Sequence, residues 1–234
     1  STGAQIMHTI TQVIAGLSMG ITILLGQQIG EGKQEEAGRS VGAGIFFFAL
    51  IAVATSLVMM FGNRFAASLM NAPAEAFEQT CSYIFICSAG LFFITSYNLL
   101  GSLFRGLGNS RIPLLTVAMA AVINIFGDLF LVKVMHMGAS GAAIATVGSQ
   151  GISVLLSLIM ISRIRLPFQF EKKNIRFDKE ITQRIFHFGF PIALADFLVG
   201  ISFLIILAIV NSLGLMASAG MGVAQKVCSF ILLV

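Results

Sequence analysis

Apolar residues in this chain gather in long, nearly unbroken runs instead of alternating with polar ones. The runs cover residues 5–26, 41–61, 80–104, 112–132, 138–161 and 186–213, and a seventh begins at Met216. A hydrocarbon core about 30 Å thick needs about 20 helical residues to cross it, and each run is of that order. Runs apolar on nearly every side present no polar face to water, which argues against surface helices. Glycine and proline inside them count little against helix, because membrane helices tolerate both. The pattern predicts an all-α, polytopic transmembrane bundle of about seven spans.

Composition narrows the class. Of 234 residues, 57% are hydrophobic and only 10% charged, whereas soluble domains carry about 25% charged residues. So few charges cannot coat a globular surface. A soluble enzyme, a disordered chain and a cytosolic nucleic-acid binder are excluded. The formal surplus of +4 sits between the apolar runs, where basic residues orient membrane helices. Eleven of the 14 Lys and Arg lie in the loops after the first, third and fifth runs, seven of them in 163–185. Arg64 and Lys133 lie on the opposite side, and Lys226 falls inside the last run. The positive-inside rule places the richer side in the cytoplasm. The expected organisation is a first lobe over 1–162, a cytoplasmic linker over 163–185 and the start of a second lobe over 186–234. Ala4-Gln5 is echoed by Ala224-Gln225 at an offset of 220 residues, as two similar bundles would produce. With no initiator Met or signal pattern at Ser1 and no polar flank at Val234, the chain is expected to be an interior piece of a longer transporter. Cys81, Cys87 and Cys228 include no C-x-x-C pair, and small apolar packing residues are the reading that fits them.

Ten carboxylates are present, and eight lie in loops where water solvates them. Asp128 and Asp196 lie inside apolar runs. An acid at mid-membrane costs at least about 2.5–3.5 kcal/mol on insertion scales, so each is a functional candidate by default. The plainer alternatives are an interfacial acid near Lys133 for Asp128 and an interhelical hydrogen bond for Asp196. Asn124 and Asp128 are four apart and share one helix face. They offer an amide oxygen and a carboxylate, hard ligands suited to Na⁺, or the acid alone can hold a proton. Thr146, Ser149 and Gln150 on the next run can add oxygens or join helices by hydrogen bonds. His8, His136 and His187 read as packing or interfacial residues. Gly16 and Gly20, Gly26 and Gly30, and Gly38 and Gly42 are each four apart, a spacing suited to close helix contact. Phe and Met are abundant, and a few can line an adaptable pocket for apolar cations.

The loops carry a family likeness. Arg105-Gly106-Leu107-Gly108-Asn109-Ser110-Arg111-Ile112-Pro113 resembles the RGxGD/NTRxP signature of multidrug and toxic compound extrusion (MATE) transporters. Gln27 to Lys33 with Glu36-Ala37-Gly38-Arg39 resembles that family's loop between its second and third helices. Asn124 to Asp128 followed by Gly138 to Thr146 resembles its NxxLDxxF…GxxGAAxAT stretch, and Gly189-Phe190-Pro191 resembles the opening of its second bundle. The likeness covers family helices two through the start of eight. It implies a monomeric, twelve-helix, two-lobed transporter in the bacterial plasma membrane, needing no cofactor. Such a protein exports small, mostly cationic compounds by antiport against Na⁺ or H⁺. It also implies that Asn124 and Asp128 belong to a cation site of the first lobe. Several members carry an acid about eight residues after the proline, where this chain has Val199; Asp196 stands one turn earlier. Glycines in the 105–108 loop allow a tight turn, Asn109 can cap the next helix, and Pro113 fits its first turn.

The runner-up is a lipid-linked oligosaccharide flippase of the same broad superfamily. It would need a cleft rich in Arg or Lys for pyrophosphate, and Lys226 is the one base within a run. No Walker loop, H-E-x-x-H spacing or intramembrane nucleophile–base pair supports an enzyme, and no repeated filter loop supports a channel.

Overall fold

The computed structural model describes residues 2–164, 166–168, 170–214 and 216–224. Seven long helices dominate: α1 (Thr2–Gly30), α2 (Gln34–Leu69), α3 (Phe77–Ala89), α4 (Leu91–Gly106), α5 (Arg111–Asp128), α6 (Gly138–Arg163) and α7 (Lys179–Ser212). Five stretches are long and apolar enough to span a membrane, or six if α3 and α4 form one bent span. These account for six of the seven apolar runs. The seventh is helical over 216–224, and its remainder, with Gln225, Lys226 and Cys228, lies outside the described residues.

Three runs depart from simple spans. Run 80–104 is broken at Gly90, where α3 and α4 meet at 54°. Run 112–132 is α-helical only to Asp128 and then widens into a π-helical turn, Leu129–Val134. In that turn the Met135 amide donates to the Phe130 carbonyl at 3.0 Å, five residues back. Helix α7 starts at Lys179, ahead of its apolar run, because Asp178 caps it: the carboxylate accepts from the Ile181 amide at 3.2 Å. The polar connection between α6 and α7 is therefore 164–178.

Helix α1 is the axis of the bundle, packing on α7, α4, α2 and α3. Its contact with α7 is antiparallel and very close. A Cβ on Gly20 would overlap the Ile185 carbonyl, and one on Gly189 would overlap the Leu17 carbonyl. One on Gly16 would lie 2.7 Å from the Ala193 Cα. Small residues let two backbones meet where lipid offers no hydrophobic driving force between helices. The Gly16 and Gly20 pair thus does what its spacing suggested, whereas Gly26 and Gly30 have almost open space around them. Hydroxyls add interhelical bonds to backbone carbonyls: Thr22 to Ser102 at 2.9 Å, Ser56 to Ser88 at 2.6 Å and Ser153 to Thr116 at 2.7 Å. Between α4 and α5, Gly108 takes φ +75°. Asn109 Oδ1 accepts from the Arg111 and Ile112 amides at 3.2 and 3.3 Å, so the connector turns and caps as its residues imply.

Candidate functional site

Close contacts at small residues decide where the polar side chains meet. On α5, a Cβ at Gly127 would lie 3.0 Å from the Ala145 Cβ of α6. One turn on, a Cβ at Gly141 would lie 3.1 Å from the Leu131 carbonyl in the π turn. Helices α5 and α6 are thereby drawn together beside Asp128 and Thr146, the next residues after Gly127 and Ala145. Gly90, at the α3–α4 bend, is the seat for Val147, whose methyls would overlap any Cβ there. Val147 follows Thr146, so the bend brings α3 to the same height, and with it Tyr83 and Cys87.

Asn124 Nδ2 points at Thr146 Oγ1 at 3.5 Å, a long contact. The Thr146 hydroxyl donates to the Ala142 carbonyl at 2.9 Å, which leaves its lone pairs toward the Asn124 side. The Tyr83 hydroxyl reaches Thr146 and Cys87 and lies within the field of the Asp128 carboxylate. Asn124, Asp128, Thr146 and Tyr83 are all half-buried. Asp128 ends the α-helical part of its span, where the π turn widens the backbone; such widenings occur frequently at functional sites. The assembled groups are a carboxylate, an amide and two hydroxyls. They form an all-oxygen donor set, which suits a hard monovalent cation or a proton. Among the described residues, no three His, Cys, Asp or Glu side chains converge as a transition-metal site would need.

Gln150 is one turn beyond Thr146 on α6, and its buried amide oxygen has no donor. Ser149 is satisfied locally, donating to the Thr146 carbonyl at 2.9 Å. Asp196 is not part of the cluster. It stands on α7 against α1, where a Cβ on Gly16 would lie 2.8 Å from Asp196 Oδ2. His8 and His187 are exposed, and His136 takes φ 54° in the turn before α6. Tyr83 was not singled out by sequence reasoning, and Cys87 was read there only as a small packing residue. A signal did exist, since Tyr83 is one of two tyrosines in the chain and lies inside an apolar run.

The described residues form a polytopic, all-helical bundle whose long apolar helices can cross a membrane. The family model MatE matches residues 1–130, more than half of the chain, and the chain belongs to the MATE family. It is 28% identical over 225 residues to a probable multidrug resistance protein, YoeA, of Bacillus subtilis, covering 92% of this chain and 48% of that one. It is 25% identical over 237 residues to a probable multidrug resistance protein, NorM, of Thermotoga maritima, covering 97% of this chain and 50% of that one. The chain thus spans about half the length of these curated relatives. Among solved structures, an inward-facing multidrug resistance MATE family transporter of the MOP superfamily superposes with a TM-score of 0.83 at 23% identity. That match covers 93% of this chain and 51% of the other, and it shows the same fold.

Proposed function

We propose that this chain forms the first lobe and the start of the second in a secondary active exporter of small organic cations. It works in a bacterial plasma membrane as a monomer, by antiport against Na⁺ or H⁺, with no cofactor and no covalent chemistry. The observation that carries this reading is the convergence of Asp128, Asn124, Thr146 and Tyr83 between α3, α5 and α6, inside a bundle otherwise poor in charge. Burial disfavours an uncompensated carboxylate, and either a proton or a bound Na⁺ relieves that cost. Asp128 then alternates between a neutralised state and a charged one that attracts a cationic substrate. Coupling needs only that the two occupants exclude each other and prefer different conformations. Gln150, with its spare acceptor one turn away, extends the site toward substrate N–H groups. Asp196 serves the α1–α7 contact and takes a lesser part.

The test is efflux from vesicles holding the full-length transporter that contains this chain, with Na⁺ and pH gradients imposed separately. Export driven by one gradient and lost in Asp128→Asn is the expected result. Export that needs neither gradient would overturn the antiport reading.

A further inference from the structure

We propose that the connection between α6 and α7, docked on α2, is a binding site for an anionic glycerophospholipid of the phosphatidylglycerol type. Two independent features carry this: the charge of the segment and the way its aromatic residues are seated.

Residues 163–184 contain seven Lys and Arg against three carboxylates, a surplus equal to the +4 of the whole chain. Everywhere else the charges balance. The connection leaves one spanning helix at Arg163 and enters another at Lys179, so Arg163, Lys173, Arg176 and Lys179 lie at a membrane face. Basic side chains in that place attract anionic lipid.

The connection is also pinned in one orientation. Arg39 of α2 pairs with Asp178 at 2.9 Å, and the Asn174 backbone occupies the notch that Gly42 leaves on α2. Phe177 sits edge-on to Phe46 of α2, with ring centroids 6.2 Å apart. Phe46 heads a stripe of exposed apolar residues on α2, namely Phe46, Leu50, Val53, Leu57 and Phe61. Their spacing of three or four residues puts them on one face, and on a spanning helix that face meets acyl chains. Phe177 itself is 59% exposed, so it extends the acyl-facing stripe to the membrane surface. One residue away, Arg176 lines a cavity of about 510 Å³ together with Arg39, Lys173, Glu35, Glu171 and Asn174. The three bases suit a lipid phosphate. Glu171, paired with Lys173 at 2.8 Å, and Glu35 can accept from glycerol hydroxyls. A headgroup in this cavity has its acyl chains beside Phe177 and Phe46. Lipid binding here goes beyond the transport reading and does not depend on it.

This chain contains no tryptophan, so Phe177→Trp is a single fluorescent reporter once any tryptophan outside this chain is replaced by phenylalanine. The full-length transporter carrying it is reconstituted in phosphatidylcholine vesicles with an equal mole fraction of either brominated phosphatidylglycerol or brominated phosphatidylcholine. Stronger quenching by the anionic lipid is expected. Adding Lys173→Gln and Arg176→Gln, both at exposed positions, should lower that preference by roughly fivefold per base removed. The charge-keeping pair Lys173→Arg and Arg176→Lys should retain it. Equal quenching by the two lipids, or a preference that survives the glutamine pair, would overturn the site. Relief of the quenching difference by millimolar inorganic phosphate would also overturn it, by making the ligand a soluble anion.

Discussion

Along the α1–α7 seam, glycine lets backbone meet backbone around Gly16, Gly20 and Gly189. Along the α5–α6 hairpin, small residues bring the helices together while a row of polar side chains stands beside the contact. The two regions also differ in burial. Helix α1 buries 13 residues of its 29, whereas α5 buries only Pro113, Thr116 and Ala120. A central helix is committed to packing on several sides. Helix α5 packs mainly on α6, which leaves room beside that contact for a carboxylate away from the axis of the bundle. On the reading proposed above, chemistry and packing fall to different helix pairs, although both pairs hold one acid within an apolar run.

The largest effect should come from exchanging those acids one at a time. Asp128→Asn removes the charge and nearly keeps the size, and it should reduce gradient-driven efflux by the full-length transporter to background while leaving folded protein in detergent. Asp196→Asn should keep part of the efflux. Equal and complete loss in both, at normal expression, would erase the functional distinction between the two helix pairs.

Next in size is a steric test of the seam. Gly20→Val drives a side chain into the Ile185 backbone, which a rotamer change cannot relieve, and overpacking of this kind costs about 1–3 kcal/mol. Gly62→Val on α2 has nothing within 4 Å of the new Cβ and should stay within about 0.5 kcal/mol of the parent. Thermal unfolding in detergent micelles compares the two. Similar midpoints would mean that the seam is looser than its contacts imply.

These contrasts separate what sequence carries from what it hides. Run length was enough for most of the spanning helices, and the spacing along the chain anticipated that Asn124 would come beside Thr146. Tyr83 was hidden because run 80–104 reads as one continuous span. Its position depends on the Gly90 bend, and Gly90 is one of 24 glycines until Val147 is seen seated against it. The π turn after Asp128 left no mark either, since Leu129–Val134 is ordinary helical sequence. Asp178 was readable, because an aspartate just ahead of a helix is a capping signal, but the surrounding charges made it look merely solvated.

The two ends of α7 offer a smaller comparison, a buried polar clasp against an exposed one. At one end the buried Asn211 amide donates to Thr2 Oγ1 at 3.0 Å and to the Met70 carbonyl at 2.8 Å. Asn211→Ala removes both bonds and should cost about 1–2 kcal/mol, the range for polar interhelical bonds in membrane peptides. The loss should not change between neutral and mildly acid pH, since no ionisable group takes part. A pH-dependent loss would point to a charged group in that clasp.

At the other end the clasp is ionic and should be weaker. Asp178 caps α7 and pairs with Arg39, whose side chain is 47% exposed, so solvent screens the pair and the cap supplies most of the effect. Asp178→Ala should cost about 1 kcal/mol. The Ile181 amide first, and then the Arg39 guanidinium, hold the Asp178 carboxyl below the ordinary aspartate value of 3.8, against the opposing push of partial burial. A group depressed in this way contributes its stability fully above the unfolded value and loses it as pH falls through the folded one. The difference in unfolding free energy between parent and Asp178→Ala should therefore be constant from neutral pH down to about 4 and shrink on further acidification. Asp178→Asn keeps an acceptor for the Ile181 amide but not the charge, so it should recover most of the cap and show a flatter acid profile. A gap between parent and Asp178→Ala that widens on acidification would reverse the sign and remove the carboxylate from the clasp.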